Sequence, residues 1–229
     1  MKRRKFIEKT SIGAAAIIGV PSIVPSSVFG KNAPSNKINI GQIGCGRIAR
    51  SHDLTETMNH DVSNVMAVCD LDSNRLNEGK VLVDDFYKEK KGKKRYNATK
   101  IYSDYREMLL NKDIDAVMIS TPDHWHAQPA IEAALAGKDI YLQKPTSLTV
   151  KEGRQLVDVV KSRNVILQLG TQQRAMPQFR IAAELVRNGR IGKLQTVKIG
   201  LPGDPSGPQA DPMPIPKNLN FDMWLGSTP

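Results

Sequence analysis

The run Ile38-Asn39-Ile40-Gly41-Gln42-Ile43 passes directly into Gly44-Cys45-Gly46-Arg47-Ile48-Ala49, and this constrains the fold more than any other stretch. An apolar, β-branched segment reads as a buried strand, and a helical pattern follows the Gly-x-Gly-x-x-Ala turn. Gly44 permits a tight turn, and Gly46 lets the main chain come close to a pyrophosphate. Ala49 is small enough for helix to lie on strand. The helix start at Arg47 and Ile48 offers unpaired N–H groups to an anion. A glycine turn that only joins strand to helix is the plain alternative. A second signal argues against it: Val65-Met66-Ala67-Val68-Cys69 ends in Asp70, 26 residues after Gly44. A carboxylate there accepts hydrogen bonds from both ribose hydroxyls of NAD and repels a 2′-phosphate. That favours NAD(H), while Arg75 nearby keeps NADP(H) open.

The rest of the chain alternates in the same manner. Strands are predicted at 38–43, 65–69, 114–120, 139–142, 165–169 and 194–199. Helices are predicted at about 47–59, 73–90, 102–110, 123–137, 149–163 and 177–188. Gly137 is a helix stop, and Thr149-Val150-Lys151-Glu152 is a capping box. Strands and helices at this spacing specify an α/β fold, a Rossmann-type doubly wound parallel sheet. Residues 38–170 make up that dinucleotide-binding domain, and 171–229 begin an α/β substrate domain with an open sheet. Six prolines between Pro202 and Pro216 exclude regular structure there.

Ligands of such sheets sit outside the carboxyl ends of the strands, which makes the polar residues at those ends the site candidates. Beyond the glycine turn and Asp70 they are Thr121-Pro122, His124, His126, Gln143-Lys144 and Gln173-Arg174. A strand that runs into Lys144-Pro145 holds an ammonium group at the rim, where it can polarise a carbonyl or orient a hydroxyl. Arg174 is the candidate substrate contact. His124-Trp125-His126 has no array of Cys, Asp or Glu beside it and is a poor zinc set, so no metal is expected. His126 is read as facing the cofactor or capping its helix, and His124 as structural.

Met1-Lys2-Arg3-Arg4-Lys5 is a basic start with paired arginines, Ser11 to Val24 form a short apolar core, and small residues follow at 26–30. The stretch 1–30 reads as a twin-arginine export signal, with a lead-in at 31–37. The expectation is an exported, periplasmic protein that does not stay in the membrane after signal removal, since no apolar run is long enough to span it. Twin-arginine export carries folded protein, and free NAD is scarce outside the cytoplasm, so a tightly held cofactor is expected. Of the formal +10 charge, +4 belongs to residues 1–30. The basic stretch 88–95 is read as a solvated loop, and no nucleic-acid partner is expected. The two cysteines, Cys45 and Cys69, are read as packing residues.

Taken in order, Gly44-x-Gly46-x-x-Ala49, Asp70, Ser120-Thr121-Pro122 with His126, Lys144-Pro145, Arg190-Ile191-Gly192-Lys193-Leu194 and Trp224-Leu225-Gly226 resemble the Gfo/Idh/MocA oxidoreductases, and the exported branch most closely. The resemblance implies NAD(P)-dependent oxidation or reduction of a sugar, cyclitol or derivative, with Lys144 catalytic, a small-molecule carbohydrate substrate, and a homo-oligomer at full length. The family's Glu-Lys-Pro falls on Gln143-Lys144-Pro145, so an amide stands where that pattern has an acid. Its Asp-x-x-x-His has no counterpart before Pro229, and the chain is expected to be the front half of a longer enzyme. Two other activities stay open: NAD-dependent glycoside cleavage through transient oxidation and elimination with no net redox change, and a non-catalytic nucleotide-binding module.

Overall fold

In a computed structural model, residues 33, 36–90, 92, 96–201, 203, 211–226 and 228 are described. The expected export signal and most of the lead-in lie outside the described residues, as does part of the basic stretch. Residues 38–229 form one unit, and everything below concerns that unit.

Six parallel strands lie in the order β3-β2-β1-β4-β5-β6. They are β1 (Ile38–Ile43), β2 (Ser63–Cys69), β3 (Lys100–Tyr102), β4 (Ala116–Ile119), β5 (Asp139–Gln143) and β6 (Leu167–Gly170). Strand order reverses at β1, which pairs with β2 on one side and β4 on the other. Reversal parts the loops that leave β1 and β4 and opens a crevice at their carboxyl ends.

Helices cover both faces. A π-helical turn, Ala49–Asp53, runs into α1 (Leu54–Asn59), and α2 (Ser73–Lys90) lies beside it. Buried Leu54, Met58, Leu76 and Val83 from these helices pack on Val65, Val68 and Met118. The opposite face carries α3 (Tyr105–Leu109), α4 (Ala127–Leu135) and α5 (Val150–Arg163). Met108, Ala130, Ala134 and Leu156 meet Ile43, Val117, Ile119 and Leu142 there. Successive residues of β4 thus serve opposite cores, as the period-two geometry of a strand covered on both faces requires. Each fully buried Leu, Ile, Val or Met among them contributes about 1.5–3 kcal/mol.

Local signals set several helix ends. Asp72 caps α2, accepting from the Asn74 N–H at 2.8 Å and the Arg75 N–H at 3.3 Å. At α5 the capping box forms in full, with Glu152 N–H on Thr149 Oγ1 and Thr149 N–H on Glu152 Oε2. Gly137 ends the turn after α4 with φ +73°.

Three sequence expectations need correction. Lys100–Tyr102 is an edge strand pairing with β2 where a helix from 102 was expected; three residues carry too little periodicity to announce it. Residues 194–199 are not a strand: they lie exposed and no strand among the described residues pairs with them, and an apolar alternation without a partner ladder does not make a sheet. Two short helices were also unforeseen, α6 (Gln172–Ala175) before α7 (Pro177–Arg187), and α8 (Phe221–Leu225). The segment leading to α8 returns to the sheet. Leu219 bridges Asp72 in antiparallel sense, and Asn220 N–H donates to Leu71 O at 3.1 Å.

Candidate functional site

The glycine turn sits where the topology reverses. Gly44 has φ +82°, and a Cβ there would lie 2.8 Å from Ser120 O, so the position admits only glycine. At Gly46 the same atom would meet nothing within 4 Å among the described residues. The backbone here faces open space, as a diphosphate approaching the main chain requires. Ala49 is fully buried between helix and sheet, whereas Arg47 and Ile48 are exposed at the helix start.

Asp70 stands beside this turn. Its Oδ2 accepts from the Cys45 N–H at 2.6 Å and its Oδ1 from the Asp72 N–H at 2.8 Å. The carboxylate is therefore pinned by main chain on two sides, and it does not cap α2, since Asp72 does. It lines a cleft of about 600 Å³, solvent at the mouth included, together with Gly46, Arg75, Thr121, Pro122 and Trp224. The donors, the open backbone at Gly46 and the fixed carboxylate fit a nicotinamide dinucleotide. Arg75 is drawn toward Asp72 (Nε to Oδ2 3.8 Å). Burial would raise the Asp72 carboxyl, but hydrogen bonds from Asn218, Asn74 and Arg75 hold it below the usual range.

The loop after β4 is built around His126. One ring nitrogen faces Thr121 O at 2.9 Å and the other faces Pro145 O, so whichever carries the proton donates to its carbonyl. The ring is buried and makes no side-chain cap on α4. The structure places it as a tie between the loops after β4 and β5, set back from the cleft. His124 Nε2 and Trp125 Nε1 both meet Trp224 O, at 2.8 and 3.0 Å. His124 therefore anchors α8.

Lys144 and Arg174 both line a second, more open groove at the ends of β5 and β6, with Gly170, Thr171 and Gln173. Lys144-Pro145 is a cis peptide bond. Gln143 is buried behind the lysine. Its Nε2 donates to Asp53 at 2.9 Å (Oδ1), and its Oε1 accepts from the Lys144 N–H at 3.3 Å.

Sequence reading missed Asp53, Tyr105, Met223 and the lining role of Trp224. Asp53 follows buried Ala49 by one helical turn, which placed it on the inward face; only burial, invisible in sequence, makes a charge there notable. Among the described residues no group of three His, Cys, Asp or Glu is arranged to hold a metal ion. No helix among them is long and apolar enough to cross a membrane.

A 3-2-1-4-5-6 parallel sheet, a glycine turn at the reversal and a carboxylate closing β2 define a dinucleotide-binding Rossmann domain. The chain belongs to the Gfo/Idh/MocA oxidoreductase family, whose model, described as an NAD-binding Rossmann fold, matches residues 38–171. It is 31% identical over 191 residues to the uncharacterized oxidoreductase YrbE of Bacillus subtilis, covering 83% of this chain and 52% of that one. Myo-inositol 2-dehydrogenase of Thermotoga maritima is 30% identical over 188 residues, 82% of this chain and 52% of that one. Among solved structures, scyllo-inositol dehydrogenase from Lactobacillus casei with NAD(H) and scyllo-inositol bound superposes with TM-score 0.58 at 26% identity, covering 68% of this chain and 42% of that one. The chain spans about half the length of the curated relatives it matches.

Proposed function

We propose that the protein is an exported, NAD(P)-dependent oxidoreductase acting on a sugar or sugar derivative, with Lys144 polarising the reacting oxygen. The observation that carries this reading is the pair of neighbouring clefts. One holds the fixed Asp70 carboxylate beside the open main chain at Gly46, and the other gathers Lys144 and Arg174 at the next strand ends. When bound, the nicotinamide supplies a hydride acceptor or donor; the chain's own residues do the rest. Asp70 offers its remaining lone pairs to ribose hydroxyls, and the N–H groups at Gly46 to Ile48 offer donors to the diphosphate. Trp224 and Met223 keep water from one side of the nucleotide cleft. At the second groove the Lys144 ammonium donates to a substrate oxygen and stabilises negative charge that develops there. Arg174 supplies a forked donor that fixes the sugar's orientation. The dehydrogenases of inositols among the relatives support a polyhydroxylated ring as substrate. The paired arginines Arg3-Arg4 ahead of an apolar core support export, and a folded, cofactor-carrying passenger agrees with it.

The test uses NAD-loaded protein with a panel of cyclitols, aldoses and glycosides, followed by NADH absorbance and product analysis. Net NADH formation that falls at least about 100-fold in Lys144→Met, with NAD affinity kept, supports the reading. Bond cleavage in glycosides without net NADH change would replace it with elimination chemistry. An unchanged rate in Lys144→Met would remove the lysine's assigned role.

A further inference from the structure

Among the described residues the most enclosed carboxylate is Asp53, whose side chain is 1% exposed. It sits at the end of the π-helical turn that follows the glycine loop, and neutral donors from two strand ends converge on it. Ser120 Oγ, after β4, donates to Oδ2 at 2.7 Å. Gln143 Nε2, closing β5, donates to Oδ1 at 2.9 Å and Oδ2 at 3.2 Å. Ser120 in turn accepts from Gln42 Nε2 of β1 at 3.1 Å. Three adjacent strands are thereby tied to one buried acid. On the far side of the Gln143 amide, Oε1 accepts the Lys144 N–H.

That geometry gives a reason for an amide at position 143. A carboxamide can donate to Asp53 and accept from Lys144 at once, whereas an ionised glutamate can only accept. A glutamate would set two buried carboxyl groups about 3 Å apart, and such a pair shares a proton instead of carrying two charges. We propose that Asp53 is a positioning residue for Lys144: through the Gln143 carboxamide its carboxylate fixes the end of β5 and the lysine main chain, and it supplies the negative charge of this corner of the site. This rests on the reading of Lys144 given above. The other ionisable groups around Asp53 are His52, whose Nδ1 is 3.3 Å from Oδ1, Glu56 and His60, which line the cavity behind it, Tyr141 of β5, and Lys144 itself beyond the amide. Burial and the Asp53 charge both push the Tyr141 phenol up, as expected if the acid's field reaches across this cavity.

Three variants of the NAD-loaded protein test the inference: Asp53→Asn, Gln143→Glu, and the double variant in which the charge is transposed. Gln143→Glu creates the carboxyl pair, whose folded proton affinity is raised. Its melting temperature is expected to be near that of the parent at pH 5 and to drop by about 4–8 °C by pH 8, as the shared proton is lost, while parent and double variant show no such drop. Asp53→Asn is expected to lose at least about 10-fold in turnover with NAD affinity within about 2-fold, and the double variant to regain most of it. A pH-independent melting temperature in Gln143→Glu would overturn the pairing. Full turnover in Asp53→Asn, or a double variant no better than the singles, would overturn the positioning role. The melting profiles decide whether Asp53 and Gln143 act as a pair whether or not the parent turns over, so a failure of the pairing is told apart from a failure of the activity assigned to Lys144.

Discussion

The Cys45 main-chain N–H donates to Asp70 Oδ2 at 2.6 Å, so the acid proposed to grip a ribose also clamps the glycine turn. Replacing it therefore affects two functions at once. Asp70→Ala removes a charged acceptor for ribose hydroxyls, worth about 1.5–3 kcal/mol, and is expected to weaken NAD binding about 10- to 100-fold. It also frees the Cys45 and Asp72 N–H groups and lowers the melting temperature. Asp70→Asn keeps an acceptor for one of them and should stay closer to parental stability. In both variants preference moves toward NADP, because the repelling charge is gone while Arg75 still lines the cleft. Calorimetric titration with each dinucleotide checks the ratio; an unchanged NAD-to-NADP ratio would show that Asp70 does not read the ribose.

Gly44 and Gly46 share a motif but are required for different reasons, and alanine separates them. At Gly44 a Cβ would lie 2.8 Å from Ser120 O on a backbone at φ +82°, so Gly44→Ala should cost about 1–3 kcal/mol of stability. At Gly46 the new methyl meets no protein atom within 4 Å, so Gly46→Ala should fold normally. It should lose nucleotide affinity, since the methyl occupies the space the diphosphate needs. Thermal melts beside dinucleotide titrations give the two signatures, and a stable Gly44→Ala would contradict the turn geometry.

What could be read from the residues follows the range of the interactions involved. The glycine turn, the Thr149–Glu152 box and five of the six expected apolar strands act over a few residues, and they occur in the structure where the pattern put them. The family expected from the ordered motifs is the one to which the chain belongs. The Asp53 network escaped notice because its partners Ser120 and Gln143 lie 67 and 90 residues away, and proximity at that separation is a property of the sheet. Trp224 had a motif but no location until α8 was seen against His124 and Trp125, about a hundred residues earlier. The misassigned strand at 194–199 shows the converse: β-branched alternation expresses a preference for a ladder and does not supply the neighbouring strand.

The thiols of Cys45 and Cys69 should resist chemistry until the domain opens. Burial first, then the Asp70 charge, pushes the Cys45 thiol up to about 12, and burial also raises Cys69. Both are fully protonated in the folded state at neutral pH, and a thiol is a poor nucleophile. Labelling by a disulfide reagent at pH 8 is expected to be at least about 1,000-fold slower in native than in unfolded protein and to follow the unfolding equilibrium. The folded pKa lies above the unfolded one, so the thiols' contribution to stability is complete below about pH 8.5 and is lost as pH rises from there toward 12. Rapid native labelling would refute this account of the packing.

Gly226 controls how α8 meets the nucleotide cleft. It has φ +59°, and a Cβ there would stand 2.7 Å from the Trp125 indole, against which the turn is pressed. Trp125 Nε1 and His124 both bond Trp224 O, and Phe221 stacks on Trp224 with ring centroids 5.8 Å apart. Any side chain at 226 must lift this helix end and move Met223 and Trp224, which wall the cleft. Gly226→Ala is expected to cost about 1–3 kcal/mol locally and to weaken dinucleotide binding several-fold, with little effect on the sheet. The only two tryptophans in the chain sit at this contact, so their emission reports it directly. A red shift in Gly226→Ala, together with reduced quenching by added NAD, is the expected signature. Parental emission and affinity would show that α8 takes no part in the nucleotide cleft.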